Sequence, residues 1–207
     1  MLKQAYYFLN ELGFNPLKIK NIAYLPRLIR EWKQYNQENM RPQFRANFKG
    51  SMPLLADYND QAGSIRTHYF HQDLWAARKL YNAKPKKHID IGSRVDGFVS
   101  SALTFMDITV VDVRPLDDSG VKGLSFICDD ATSLSSFKDG SVKSISTLHA
   151  AEHFGLGRYG DPVDPEATFK FMASLNRVLA KGGTLYFSVP IGRERVEFNA
   201  HRVFAVE

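Results

Sequence analysis

Between His88 and Val189 the chain repeats one pattern: a short apolar run, a polar or glycine-bearing turn, then a stretch with helical spacing or turn chemistry. The runs are His88–Ile91, Ile108–Val113, Leu124–Cys128, Ser141–Leu148 and Thr184–Val189. Runs this short suit buried strands. Strands joined by crossovers pair in parallel with right-handed connections. The expected fold is therefore α/β, a mostly parallel sheet with helices on both faces. One helix is predicted over 97–105. A longer one runs from about Pro165 to Leu179 and is stopped by Lys181-Gly182-Gly183, because glycine tolerates the left-handed conformation of a helix end. Ahead of the first strand, Phe70, Leu74, Ala77 and Tyr81 mark one helical face, with His71 or Asp73 as cap and Trp75 in the core. Asp117-Asp118-Ser119-Gly120 is turn chemistry.

Residues 1–66 read differently, as a helical extension and connector ahead of a working domain at 67–207. Ala5, Phe8, Leu9 and Leu12 share a helical face, and Pro26 opens a second helix carrying Leu28, Ile29, Trp32 and Tyr35. Residues 1–50 hold nine Lys/Arg against three Asp/Glu, a net of +6 out of a total of +5, so the remainder nets −1. The bland reading is a solvated helical face. The sharper one is attraction to an anionic membrane surface or an acidic partner. A wholly basic domain would suggest a nucleic-acid enzyme, and this distribution disfavours nucleic acid. No apolar run approaches the roughly 18 residues of a membrane span. Cys128 is the only cysteine, which excludes an internal disulfide and points to the cytoplasm, at the inner face of the membrane if the basic arm engages it. Its apolar run predicts a buried, inert thiol.

In open parallel sheets, ligands bind beyond the carboxyl ends of the strands. The first strand ends in Asp90-Ile91-Gly92-Ser93-Arg94-Val95-Asp96-Gly97. The second ends in Asp112 and Val113, with Asp112 twenty residues after Gly92, the spacing of a carboxylate that accepts from a ribose. The third ends in Asp129-Asp130-Ala131, an acid-plus-small pair suited to an adenine amino group. Gly97 is followed by Phe98-Val99, which excludes a Walker phosphate loop, and Arg94 stands where a dinucleotide site wants its second glycine. S-adenosylmethionine (SAM) has no phosphate to cradle, and Asp90 suits its cationic groups. The predicted cofactor residues are Asp90, Gly92, Ser93, Arg94, Gly97, Asp112, Val113, Asp130, Ala131 and Leu148.

His88–Gly97, Asp112, Asp130-Ala131, Ser144–His153, Arg177-Val178-Leu179 and Lys181-Gly182-Gly183 together resemble the Rossmann-type SAM-dependent methyltransferase superfamily. His68–Trp75, Gly155–Pro162 and Phe198–Phe204 more narrowly resemble a bacterial domain-of-unknown-function family that accompanies surface-glycan biosynthesis enzymes. The sequence departs from the superfamily in two places. Arg94 and Asp96 replace the second and third glycines after strand one, where Arg94 can instead pair with the SAM carboxylate. Seventeen residues follow Pro190, too few for the two further strands of the superfamily, so a short sheet is expected, with an exposed edge that a homodimer would cover.

After the fourth strand come His149, Glu152 and His153, with His201 further on; these are the candidate catalytic residues. Positions three and four apart are neighbours on a helical turn, so the four form a candidate ligand set for a divalent metal such as Mg²⁺ or Mn²⁺. They are similar to the Glu-x-x-Glu-His turn and later His of small-RNA 2′-O-methyltransferases, in which the metal binds the acceptor hydroxyls. Without a metal, His149 or His153 is the general base. Arg158, Tyr159 and Asp161, in a glycine-rich loop, are candidate substrate residues, Arg158 for a phosphate or carboxylate and Tyr159 for a sugar face. The resemblance implies O-methylation of a sugar or glycan precursor. The alternatives are a metal-dependent RNA ribose methyltransferase and a non-catalytic scaffold on a degenerate methyltransferase fold.

Overall fold

The computed structural model describes every residue except Met1, Ala62, Ser64, Ser119 and Glu207, and every side chain but those of these residues and of Leu2 and Lys3. The turn expected at Ser119 thus lies partly outside the described residues. The chain divides into two compact units, Met1–Ser64 and Ile65–Glu207.

The first unit holds helices α1 (Leu2–Glu11) and α2 (Leu25–Glu38), with a 3₁₀ segment Pro16–Tyr24 that Asn15 caps by accepting from the Leu17 amide. The connector contains three single 3₁₀ turns, Pro42–Phe44, Phe48–Gly50 and Leu55–Asn59. None of the unit's described residues is buried. Polar and aromatic contacts shape it instead. Trp32 Nε1 donates to the Ala46 carbonyl at 3.2 Å while its ring meets Phe48 edge-on. Glu31 accepts from both Tyr58 and Arg27 at 2.7 Å.

The second unit is built on a five-stranded parallel sheet of order β3-β2-β1-β4-β5. The strands are β1 (Ile89–Ile91), β2 (Ile108–Asp112), β3 (Leu124–Cys128), β4 (Val142–Leu148) and β5 (Leu179–Ser188). Alternate side chains serve opposite faces. Val110, Leu148 and Tyr186 pack against α3 (His68–Ala83) and the turn Val95–Val99 that leads into α4 (Ser100–Ala102). Val111, Ile145 and Phe187 pack against Phe171, Leu175 and Val178 of α5 (Ala167–Val178). Burying each such side chain contributes about 2 kcal/mol. A separate antiparallel hairpin, β6 (Arg195–Glu197) and β7 (His201–Val203), follows the sheet.

Several expectations are corrected. Thr67, not His71 or Asp73, caps α3. The helix buries Ala76, Ala77 and Leu80, while Phe70, Leu74, Trp75 and Tyr81 are exposed. The alanines allow the helix a close approach to its neighbours, and that turns the bulky stripe outward. The helix predicted at 97–105 shrinks to a π turn and one short α segment. The long helix α5 ends at Val178, within one residue of the expected Leu179, but Lys181-Gly182-Gly183 is not what stops it; the glycines lie within β5, where its register against β4 is irregular. Cys128 is exposed rather than buried, because β3 is an edge strand.

Candidate functional site

Sheet order reverses at β1, whose two neighbours are β2 and β4. At the carboxyl ends of these strands lies a cavity of about 360 Å³, within the size range of small-molecule sites. Gly92 turns the chain out of β1 with φ +69°, and a Cβ there would lie 3.0 Å from the Ala150 Cβ. Glycine is required by both the conformation and the space. Ser93, next along, donates its hydroxyl to Asp90 Oδ2 at 2.7 Å and accepts the Leu148 amide at 3.0 Å, which ties β1 to β4 beneath the cavity.

Asp90 itself does not reach the cavity. It is fully buried, bonded to Ser93 and to the Ser146 hydroxyl. Burial pushes its carboxyl up to about 6. The Ser146 hydroxyl donates to Asp90, so it accepts from His88 Nε2 at 2.9 Å, while His88 Nδ1 accepts from Ser144 at 2.8 Å. Burial holds His88 down at about 4. The assignment of Asp90 to SAM is thus corrected: its partners are hydroxyls of the sheet. Gly97 is also outside the cavity. A Cβ there would meet the Asp73 carboxylate of α3, which would have to turn aside.

Asp112, Val113, Asp130 and Ala131 line the cavity with Leu148. Asp112 Oδ1 accepts from the Arg114 amide (2.8 Å) and Nε (2.9 Å), and Oδ2 from Arg114 Nη2 at 2.6 Å. Arg114 was not expected from the sequence; its signal is the short Asp-x-Arg spacing after β2. Asp130 Oδ1 accepts from the Thr132 amide at 2.8 Å. Arg94 lines the cavity too, but its guanidinium pairs with Asp96 at 2.8 Å rather than standing free.

His149 enters the cavity from the turn after β4 with φ +54°, an uncommon conformation for a residue with a side chain. Its Nδ1 bonds Glu152 Oε1 at 2.7 Å. A carboxylate only accepts, so with Glu152 ionised Nδ1 carries the hydrogen, and in the neutral imidazole Nε2 is left with the lone pair. The rings of His68 and Tyr69 lie 4.7 and 5.4 Å from that of His149. Neither is among the residues predicted for the site, although a role in closing over SAM is the lesser of two expectations for His68 at the start of α3. Burial lowers the His68 imidazole and raises the Tyr69 phenol. Glu152 is buried behind His149, and its Oε2 has no partner among the described residues.

His153 also lines the cavity, but its Nδ1 donates to the Ala200 carbonyl at 2.6 Å, and burial lowers its imidazole. His201 lies outside, near Glu197 at 3.7 Å. Among the described residues no group of three or more His, Cys, Asp or Glu side chains is placed to hold a metal. The ligand set His149, Glu152, His153 and His201 is therefore corrected. Glu152 Oε1 lies 2.7 Å from His149 Nδ1 and 3.8 Å from His153 Nε2, His153 Nδ1 bonds the backbone, and His201 stands outside the cavity beside Glu197.

Arg158, Tyr159 and Asp161 form a wall of the cavity. Arg158 donates to the Ala200 carbonyl at 3.2 Å, and both it and Arg114 sit over the Tyr159 ring, at 5.1 and 4.3 Å. Asp161 accepts from the Gly155 and Tyr159 amides, at 2.8 and 3.1 Å, and so shapes the loop. Arg202, unforeseen, reaches across from β7 to the carbonyls of Phe154 (2.6 Å) and Pro165 (3.3 Å).

A family model described as "Caenorhabditis protein of unknown function, DUF268" matches residues 126–206, less than half of the chain. That description gives no support to the bacterial, glycan-associated family of the narrower resemblance. No curated protein matches the sequence. Similar solved structures include a SAM-dependent methyltransferase from Archaeoglobus fulgidus (17% identity, TM-score 0.39, 55% of this chain and 51% of that one). Another is the 1,6-didemethyltoxoflavin N1-methyltransferase of Burkholderia thailandensis with S-adenosylhomocysteine (SAH) bound (16%, 0.45, 66% and 62%). A third is a coclaurine N-methyltransferase bound to N-methylheliamine and SAH (11%, 0.40, 89% and 55%). The match spans roughly half to three fifths of each of those chains.

Proposed function

We propose that the chain is a SAM-dependent methyltransferase acting on a hydroxyl of a sugar or surface-glycan precursor. The observation that supports this reading is the alignment of Gly92, Asp112 and Asp130-Ala131 along one cavity at the carboxyl ends of three adjacent parallel strands. Asp112 would accept from the ribose, Asp130 from the adenine amino group, and Ala131 leaves room for the ring. When bound, SAM supplies an electrophilic methyl group. The chain's own part is to position the acceptor and take its proton. His149 suits the second task, because Glu152 holds its Nδ1–H and leaves Nε2 as acceptor. An imidazole is the side chain that ordinarily titrates near neutrality.

The test is calorimetric titration of the full chain with SAM and with SAH. Saturable heat that weakens about 10- to 100-fold in Asp112→Ala, the loss of a charge-assisted hydrogen bond, supports the reading. The engagement of both Asp112 oxygens by Arg114 favours a second reading, a non-catalytic scaffold. Absence of heat in a folded sample, in wild type and in Arg114→Ala alike, would overturn the first reading in favour of the second.

A further inference from the structure

The first unit carries large apolar side chains that it does not bury. Phe8 and Leu12 are 66% and 68% exposed, and Leu17 and Ile22 each 59%. In α2, Ile29 is exposed as well, although the helix is strongly amphipathic and polar on average. Soluble surfaces rarely gather apolar groups at this density without a partner. Cations are interleaved with them: Lys18 and Lys20 flank Ile19, Arg30 follows Ile29, and Lys49 follows Phe48. Among the described residues, Arg27 is the only basic side chain of this unit in an ion pair. Residues 1–50 net +6.

The combination selects its partner by two chemistries at once. A nucleic acid or acidic protein surface would match the cations but leave the apolar groups in water. The headgroup region of an anionic bilayer takes both, with Lys and Arg at the lipid phosphates and apolar side chains at the acyl boundary. No helix among the described residues is long and apolar enough to cross a membrane, so the contact is one of lying on the surface. We propose that residues 1–50 form a peripheral docking surface for anionic lipid bilayers. The proposal stands on this unit alone and does not depend on methyl transfer.

The experiment is co-sedimentation of the full chain with phosphatidylcholine vesicles, with and without phosphatidylglycerol. The chain is expected to sediment with the mixed vesicles and stay in solution with phosphatidylcholine alone. The double charge reversal Lys18→Glu/Lys20→Glu should weaken partition by at least about 25-fold, about fivefold for each cation removed and more for the anions that replace them. Ile29→Asp should weaken it too, with the circular dichroism of both variants unchanged. Equal binding to both vesicle types, binding to neither, or full binding by the charge-reversed variant would overturn the proposal. So would light scattering that finds a dimer broken by Ile29→Asp, which would make the surface an interface between copies.

Discussion

At the residue scale the cavity holds two histidines with different prospects. His149 has its lone-pair nitrogen available behind a buried carboxylate, whereas His153 spends its Nδ1–H on a backbone carbonyl. If His149 is the base, His149→Ala should cut methyl transfer by about 10²- to 10⁴-fold, the usual contribution of general-base catalysis, with SAH affinity unchanged. Glu152→Gln keeps an acceptor for Nδ1, so its rate should fall far less than that of Glu152→Ala; single-turnover assays on the three variants would check this. Below the cavity, His88 and Asp90 titrate in opposition. The folded Asp90 holds its proton up to about 6 against 3.8 ordinarily, so its contribution to stability is lost as pH rises through about 6. The folded His88 resists protonation down to about 4 against 6.5, so its contribution is lost as pH falls through about 4. The two slopes largely cancel. Asp90→Asn should uncover the histidine alone, so that stability in urea rises by about 3 kcal/mol between pH 4 and pH 6.5. A flat profile in that variant would refute the assignment.

At the element scale, what distinguishes the cavity is its wall, the loop from Phe154 to Pro165. Gly155 has φ +73°, and a Cβ there would overlap the Asp164 carbonyl oxygen. Gly155→Ala should therefore destabilise by more than about 1 kcal/mol, combining left-handed strain with a backbone clash. Arg202 fastens the same loop from β7, with burial lowering its guanidinium below the ordinary value. Arg202→Leu strands two carbonyls and should cost about 2–4 kcal/mol in thermal or urea unfolding. A merely exposed arginine would give no measurable change. The strands were legible from the sequence because each keeps apolar side chains in a short run bounded by turn residues, even where Asp90, Lys143 or Ser144 interrupts it. The face of α3 was not, because its burial follows the small residues that permit close approach, and the apolar stripe on which a periodicity argument relies points outward. The end of α5 was legible to within a residue, but not its cause: pairing with β4 draws Leu179 into a strand before the glycines are reached.

At the scale of the whole molecule the two units differ in how they are held. Ile65–Glu207 has two buried apolar layers, and Met1–Ser64 has no buried described residue. Backbone amides of the first unit should thus exchange with deuterium well before those of β1, β2 and β4, a difference that hydrogen-exchange mass spectrometry would resolve. Equal protection in both would contradict it. The order of apolar runs determined a parallel α/β sheet, and the strand-end residues Gly92, Asp112 and Asp130-Ala131 already marked which edge holds the cavity, because that information is local and periodic. Only the tertiary structure decided which polar groups face that cavity. Asp90 is withdrawn by sheet hydroxyls, Asp112 and Arg94 are engaged by residues two positions on, and His201 stands outside the cavity beside Glu197. A side chain's partners depend on which segments meet in space, and the spacing of acids and imidazoles along the chain does not carry that.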